Sequence, residues 1–285
     1  MESLQIRRPN TLAQALEAKA EHPDAVPLAG GTDLMVAINF RHTRPAAVLD
    51  LTAVPELDDW APDDGRVRVG AGVTYTRLID ELGDRLPGLA IAGRTVGSPQ
   101  IRNRGTVGGN LATASPAGDG LPPLYTAGAL VELASVRGTR HVPVAEFITG
   151  PKRTCIEPDE LIAAFELPAA SGPQQFAKVG TRNAMVIAVC SVALALWPEQ
   201  RRVAACVGSA GPTPLVATEA EEFIAGALDW NGGAPIPEDA LERFGELVGA
   251  CARPIDDVRG TARYRSHAVG VLGRRTLQWA WSAYA

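Results

Sequence analysis

Hydrophobic and polar positions change their period several times along the chain, and each change predicts an element. Apolar residues at helical spacing follow Thr11 and Thr74, and a threonine hydroxyl is a favoured helix N-cap. These two positions predict one helix that is stopped by Pro23 and a second over residues 75–82. Short apolar or alternating runs predict strands over 26–29, 46–51, 66–70, 129–135, 140–144 and 161–167. The glycine-rich stretch 88–109 predicts a loop with short helical pieces.

The pattern changes again after residues 169–173, which read AASGP and are typical of a linker. Three strands are predicted beyond it, over 176–180, 186–196 and 202–208. Helices are predicted over 219–227, 239–252 and 269–285. A boundary near residue 170 and another between residues 55 and 62 divide the chain into 1–57, 58–170 and 175–285.

Composition excludes several classes of protein. The 285 residues carry a net charge of −5, which argues against nucleic-acid or polybasic membrane binding. The N-terminal segment MESLQIRRPN lacks the apolar stretch of an export signal. The longest apolar run, 184–197, is interrupted by Ser191 and is too short to cross a bilayer. We therefore expect a cytoplasmic protein with no membrane insertion.

Reactive side chains are scattered. Cys155, Cys190, Cys206 and Cys251 are far apart in sequence, so no CxxC pair indicates a metal or cluster, and buried reduced thiols are expected. The four histidines fall in unrelated segments, no GxSxG motif occurs, and the carboxylates form no acid–base pattern. The sequence therefore predicts no catalytic residue and no metal ligand of its own, and it favours chemistry carried by a bound cofactor.

Two glycine loops favour a diphosphate ligand. The first reads LAGGTDL over residues 28–34, and the second reads RGTVGGNL over residues 104–111. Glycine lets main-chain N–H groups approach an anion closely, and Thr32, Thr106 and Asn110 add neutral hydrogen-bonding groups. Together the loops could hold a diphosphate from both sides. The alternative is two tight turns without a ligand.

A third glycine motif, Gly70-Ala71-Gly72, follows a strand and precedes a helix as a dinucleotide fingerprint does. Tyr75 stands where that fingerprint has its third glycine, so a Rossmann site is not expected. Asp119 lies in a glycine–proline turn, where its carboxylate could accept from sugar or ribityl hydroxyls, form an Asx-turn or cap a helix.

Four basic residues leave two interpretations open. Arg102 and Arg104 could offset phosphate charge or be solvated loop arginines. Lys178 and Arg182 could face the edge of a cofactor or form a surface pair. The local sequence does not choose between these alternatives.

Five segments in order resemble the flavin signature of the molybdenum hydroxylase family, which includes xanthine dehydrogenase and carbon monoxide dehydrogenase. They are LAGGTDLM, QIRNRGTVGGNLATASPAGD, LIAAFELP, FAKVGTRNAM and VGSAGPTPLVATEAE. The similarity spans nearly the whole chain and is strongest with the separate FAD-binding, or medium, subunit of the three-subunit forms. The branch of 4-hydroxybenzoyl-CoA reductase carries a cysteine-bearing insertion that this chain lacks.

The resemblance implies an α+β fold. A two-part FAD-binding domain of the vanillyl-alcohol oxidase (PCMH) type would comprise 1–57 and 58–170, followed by a small α/β C-terminal domain, 175–285, with a three-stranded antiparallel sheet. Residues implied to hold the FAD diphosphate and its neighbouring groups are Leu28, Ala29, Gly30, Gly31, Thr32, Asp33, Leu34, Thr106, Val107, Gly108, Gly109 and Asn110. Asp119 would bind a sugar or ribityl hydroxyl, and Ile162 and Lys178 match positions that approach the flavin. Val96 replaces a larger aromatic residue of some relatives, which removes stacking there.

The resemblance also implies a function. Electrons would run from a molybdenum cofactor through two [2Fe–2S] clusters to FAD, and then to an external acceptor such as NAD, oxygen or a quinone. Molybdenum would lie on a large partner subunit and the clusters on a small one, in a dimer of heterotrimers. The alternatives are a stand-alone flavoenzyme that acts directly on a small organic substrate, and a non-redox binding or scaffolding module.

Overall fold

A computed structural model describes residues 4–285. Its first part is a three-stranded parallel sheet with two helices. In chain order the elements are β1 (Gln5–Arg7), α1 (Leu12–Glu21), β2 (Val26–Leu28), α2 (Leu34–Asn39) and β3 (Ala47–Asp50). The sheet order is β1-β3-β2. The Thr11 hydroxyl accepts from the Gln14 amide and caps α1 as predicted. The first glycine loop therefore begins at the carboxyl end of β2.

The second part is a five-stranded antiparallel sheet with helices inserted between its strands. It contains β4 (Trp60–Asp63), β5 (Arg66–Gly70), α3 (Tyr75–Leu82), α4 (Pro87–Thr95), α5 (Pro99–Arg102), α6 (Val107–Thr113), α7 (Leu121–Thr126), β6 (Leu130–Ser135), β7 (Gly138–Pro143), α8 (Val144–Phe147), β8 (Ile148–Gly150), β9 (Arg153–Thr154) and β10 (Leu161–Pro168). The order is β4-β5-β10-β6-β7, while β8 and β9 form a separate pair. Val69, Phe165 and Leu133 point from this sheet into the main core.

The third part is a second antiparallel sheet covered by three helices. Its elements are β11 (Gln174–Val179), β12 (Cys190–Trp197), β13 (Arg202–Gly208), β14 (Leu215–Val216), α9 (Thr218–Ala227), α10 (Glu238–Cys251) and α11 (Ala262–Tyr284). The order is β11-β12-β13-β14. The predicted α+β class is confirmed, but the predicted three-stranded sheet has a fourth, two-residue strand. The two hydrogen-bonded residues of β14 are too few to produce a recognisable alternation.

Several other predictions are corrected. Residues 88–109 include parts of three helices, so the predicted short helical pieces are present but take up more of the segment than expected. Leu89, Ala90 and Ala92 are buried, and their packing outweighs the low helix propensity of glycine. Strand β12 begins at Cys190 rather than at residue 186, and α11 begins at Ala262 rather than at residue 269. Cys190 and Cys206 are buried, and burial raises the pKa of the Cys190 thiol to about 11, but Cys155 and Cys251 are half-buried.

The C-terminal sheet packs directly against the helices of the second part. Trp197 joins the main core and donates from its indole N–H to the Thr126 carbonyl at 3.3 Å. Ala92 of α4 packs against Phe176 of β11. This contact brings β11 next to the loops that surround α6. No helix within residues 4–285 is long and apolar enough to span a membrane.

Candidate functional site

A cleft of about 970 Å³ runs between the first sheet and α6. It is large enough to bury a drug-sized or larger ligand. Thirteen of the fifteen predicted site residues line it: Leu28, Ala29, Gly30, Gly31, Thr32, Asp33, Leu34, Thr106, Gly108, Gly109, Asn110, Asp119 and Ile162. Val107 and Lys178 do not. The Val107 side chain is fully buried in the main core, and Lys178 lies behind Asp119.

The two glycine loops touch each other. A Cβ atom at Gly30 would lie 1.8 Å from the carbonyl oxygen of Arg104, so only glycine allows this approach. Gly31 has φ +74°, which also favours glycine. Thr113, the last residue of α6, donates from its hydroxyl to Asp33 at 3.0 Å. Loops that are distant in sequence therefore form one main-chain wall of the cleft.

The second loop is fixed by a cap and by a close main-chain contact. The Thr106 hydroxyl accepts from the Gly109 amide at 2.8 Å and caps α6. A Cβ at Gly108 would lie 2.5 Å from the Ala71 carbonyl oxygen, whereas a Cβ at Gly109 would meet the Thr106 hydroxyl at 3.1 Å. Both glycines line the cleft, and Gly108 is in addition required by its packing against Ala71. The 70–72 motif supports the second loop and does not start a Rossmann fold.

Asp119 forms a buried ion pair with Lys178. Its Oδ2 lies 2.5 Å from the Lys178 Nζ and accepts from the Thr95 hydroxyl at 3.0 Å. The side chains are 7% and 10% exposed. Burial raises the pKa of the Asp119 carboxyl, and Lys178 opposes that rise. The residue before α7 is Gly120, with no side-chain cap, so the capping alternative for Asp119 is wrong.

The ammonium of Lys178 also donates to the carbonyl oxygens of Thr95 at 2.9 Å and Val186 at 3.1 Å. All three of its hydrogens are thus engaged. The alternative in which Lys178 and Arg182 form a surface pair is wrong, because the Lys178 side chain is only 10% exposed and Arg182 donates to carbonyls of its own loop. Lys178 therefore connects strand β11 to Asp119, which lines the cleft.

The two loop arginines differ. Arg102 donates from Nη1 to the carbonyl oxygens of Arg94, Val96 and Gly97, which ties α5 to the end of α4. Arg104 and Val96 line the cleft, as does Gly97. Of the two predicted phosphate-charge candidates, therefore, only Arg104 is at the cleft wall.

Three buried polar atoms at the cleft have no hydrogen-bond partner within residues 4–285: the Tyr75 hydroxyl, Asn110 Oδ1 and Asp119 Oδ1. A buried polar group without a partner is costly, so such atoms indicate where a polar ligand fits. An acceptor-rich set with one hydroxyl suits the hydroxyl groups of a cofactor's sugar or ribityl chain. Tyr75 was not predicted as a site residue, because its position at the start of an amphipathic helix is typical of a core residue.

Comparisons with known proteins agree with this geometry. Residues 2–170 match the family model described as the FAD binding domain in molybdopterin dehydrogenase, and residues 175–280 match the CO dehydrogenase flavoprotein C-terminal domain. The chain is 31% identical over 292 residues to the xanthine dehydrogenase FAD-binding subunit of Escherichia coli O157:H7, covering 97% of this chain and 95% of that one. It is 34% identical over 282 residues to the nicotinate dehydrogenase FAD-subunit of Eubacterium barkeri, covering 94% and 93%.

Solved structures show the same fold. Quinoline 2-oxidoreductase from Pseudomonas putida 86 superposes with a TM-score of 0.91 at 26% identity, over 99% of this chain and 98% of that one. The Cu,Mo-CO dehydrogenase superposes with a TM-score of 0.90 at 28% identity, over 99% of both chains. Fold and cleft thus define the flavoprotein component of an oxidoreductase.

The chain belongs to the family of FAD-binding subunits of molybdenum hydroxylases, as its sequence resemblance implied.

Proposed function

We propose that the cleft holds FAD and that this chain passes electrons from [2Fe–2S] clusters of a partner subunit through FAD to an external acceptor such as NAD, oxygen or a quinone. The contact between the two glycine loops at one wall of the 970 Å³ cleft carries the proposal. Bound FAD supplies the electron-transfer chemistry, and the chain orients it and shields it from water. We further propose the division into 1–57, 58–170 and 175–285, and a cytoplasmic location.

The position of each residue in the cleft suggests which part of the cofactor it would contact. The loops 28–34 and 106–110 would hold the diphosphate and its neighbours, with Val107 contributing only its main chain because its side chain is buried. Asp119 would accept from a hydroxyl through Oδ1, its free oxygen. Ile162 would contact the ligand directly, and Lys178 would act through Asp119.

We also propose a large molybdenum-containing partner and a small iron–sulfur partner, assembled as a dimer of heterotrimers. Relatives are named as the medium chain of carbon monoxide dehydrogenase and the medium subunit of nicotine 6-hydroxylase, which supports a large and a small partner. Met35, Val36 and Phe40 are exposed on and just after α2, beside the first loop, and such apolar groups favour a protein interface.

FAD binding is tested by titrating FAD into the purified apoprotein of two matched variants. In Gly109→Val the new side chain projects into the cleft, and FAD binding should weaken at least about 100-fold. In Gly226→Val, within α9, a Cβ meets nothing within 4 Å among the described residues, so this control carries the same helix-propensity cost without obstruction. Equal FAD affinity in both variants would contradict the assigned cleft.

The electron route is tested by anaerobic mixing of the FAD-loaded chain with the reduced form of the proposed iron–sulfur partner subunit. We expect rapid bleaching of the flavin absorbance, followed by recovery when an acceptor is added. Turnover of an organic substrate by this chain alone, without bleaching by the iron–sulfur subunit, would favour the stand-alone flavoenzyme.

A further inference from the structure

One corner of the cleft is formed by Tyr75, Asn110 and Asp119. Tyr75 is 2% exposed and lies at the first position of α3, with its ring beside the main chain of Gly93 and Gly105. A Cβ at Gly120 would lie 2.6 Å from the Tyr75 hydroxyl and 3.0 Å from Asn110 Oδ1. Any side chain at Gly120 would therefore collide with the hydroxyl and the amide, so glycine is needed for both groups to lie there.

Three polar atoms at this corner have no hydrogen-bond partner among the described residues, and they differ in whether they can donate or accept. Asn110 Oδ1 and Asp119 Oδ1 can only accept, while the Tyr75 hydroxyl can donate and accept. Burial, together with the nearby Asp119 and Asp33 carboxylates, raises the pKa of Tyr75, so the phenol keeps its proton and remains a donor. The corner therefore offers one donor beside two acceptors.

One donor beside two acceptors suits one part of a flavin dinucleotide better than the others. A phosphate only accepts, so two acceptor oxygens, one of them a carboxylate, would repel it. Each hydroxyl of a polyol both donates and accepts, so a polyol can satisfy all three atoms. Lys178 has no hydrogen left to donate to a ligand, since its three hydrogens are already bonded to Thr95, Asp119 and Val186.

We propose that the Tyr75 hydroxyl is a cofactor-binding group that donates a hydrogen bond to the ribityl chain of FAD, whose hydroxyls in turn donate to Asn110 and Asp119. The inference rests on the proposed FAD site and adds a residue that neither glycine loop contains. Gly120 supports this arrangement, because a Cβ there would lie 2.6 Å from the Tyr75 hydroxyl and displace it.

The test compares Tyr75→Phe with Tyr125→Phe. Tyr125 is a second, partly buried tyrosine whose pKa burial also raises, but it packs against the main core away from the cleft. Affinities of the apoprotein for FAD, riboflavin and ADP are measured by calorimetric titration, and apoprotein stability by thermal unfolding. Tyr75→Phe should weaken FAD and riboflavin about 10-fold, which is the loss of one hydrogen bond, and leave ADP unchanged.

The apoprotein of Tyr75→Phe should be as stable as the wild type or more so, because an unpaired buried hydroxyl stabilises nothing. A fall in its melting temperature would show that the hydroxyl already has a protein partner, and would overturn the proposal. Unchanged FAD affinity, or an equal loss for ADP, would overturn it as well. If wild-type protein bound no FAD, the proposed function would fail along with this inference, whereas normal wild-type binding with an unaffected Tyr75→Phe variant rejects the Tyr75 role alone.

Discussion

At the scale of single residues, the two adjacent glycines of the second loop have different tasks. Sequence alone treats Gly108 and Gly109 alike, since both follow a capping threonine. In the structure both glycines line the cleft, but only Gly108 also lies against the Ala71 main chain. The distinction depends on which face of a short helix meets another segment, and no local pattern contains that information.

Gly108→Val should therefore lower the stability of the apoprotein itself. Its Cβ would lie 2.5 Å from main-chain and Cβ atoms of Ala71, which a flexible side chain cannot relieve. Overpacking of this kind costs about 1–3 kcal/mol, measurable as a lower free energy of unfolding in urea without FAD. Wild-type stability in this variant would show that the loop and Ala71 are not packed as described.

Asp119→Ala should destabilise the fold as well as the cofactor. The substitution leaves the Lys178 ammonium buried with its charge unpaired, and breaking a buried pair in this way costs about 3–5 kcal/mol. The double variant Asp119→Ala/Lys178→Met removes both charges, so its loss should be smaller than that of Asp119→Ala alone. Denaturant unfolding of the wild type, both single variants and the double variant checks this. Additive losses would contradict a coupled pair.

At the scale of elements, two glutamates respond oppositely to pH. Glu160 precedes β10 and pairs with Arg140 of β7 through two contacts of 2.6 and 2.8 Å, which lower the pKa of the Glu160 carboxyl below its usual value of 4.5. Glu221 of α9 accepts from the Ala205 amide at 2.7 Å, but burial raises the pKa of the Glu221 carboxyl. Ionisation of Glu160 therefore stabilises its contact with Arg140, whereas ionisation of the Glu221 carboxyl destabilises the contact of α9 with Ala205.

Glu160→Gln should lose about 1–3 kcal/mol of unfolding free energy at neutral pH, because a charge-assisted pair becomes a neutral contact. A lowered pKa in the folded state gives stability that is present above the unfolded pKa and lost as pH falls through the folded pKa. The deficit should therefore disappear in acid, below the usual pKa of 4.5. Unfolding measured across pH gives the profile.

Glu221→Gln is the matched control. Its amide still accepts from Ala205, while the penalty for a buried charge is removed, so stability at neutral pH should be equal or higher. That difference should also close in acid, where the wild-type carboxyl is protonated. The same sign of effect for both variants at neutral pH would refute the assigned environments.

Elements with strong local signals were predictable. Helix α3 has the predicted bounds because Thr74 caps it and its apolar residues share one face, and β5 has the predicted bounds because it alternates. Strand β4 was missed because Pro62 and its acidic neighbours are typical of a turn. As an edge strand it tolerates proline. Helix α4 was predicted only as a short helical piece because its glycines lower helix propensity, whereas Gly93 allows close packing against Tyr75.

At the scale of the whole molecule, the proposed function depends on the contact between two loops that are distant in sequence. The residue types of each loop indicated a diphosphate ligand, and thirteen of the fifteen residues that the family resemblance implied line the cleft. Neither could show that Lys178 crosses from the C-terminal sheet to Asp119, or that Tyr75 completes the same corner. Both depend on contacts between segments that are far apart in sequence.

The most direct test of the central claim is a crystal structure of the chain grown with saturating FAD. We predict density for the diphosphate between residues 28–34 and 104–111, with the ribityl chain at Tyr75, Asn110 and Asp119. Density for FAD elsewhere on the molecule, or none in the cleft at saturating FAD, would contradict the account.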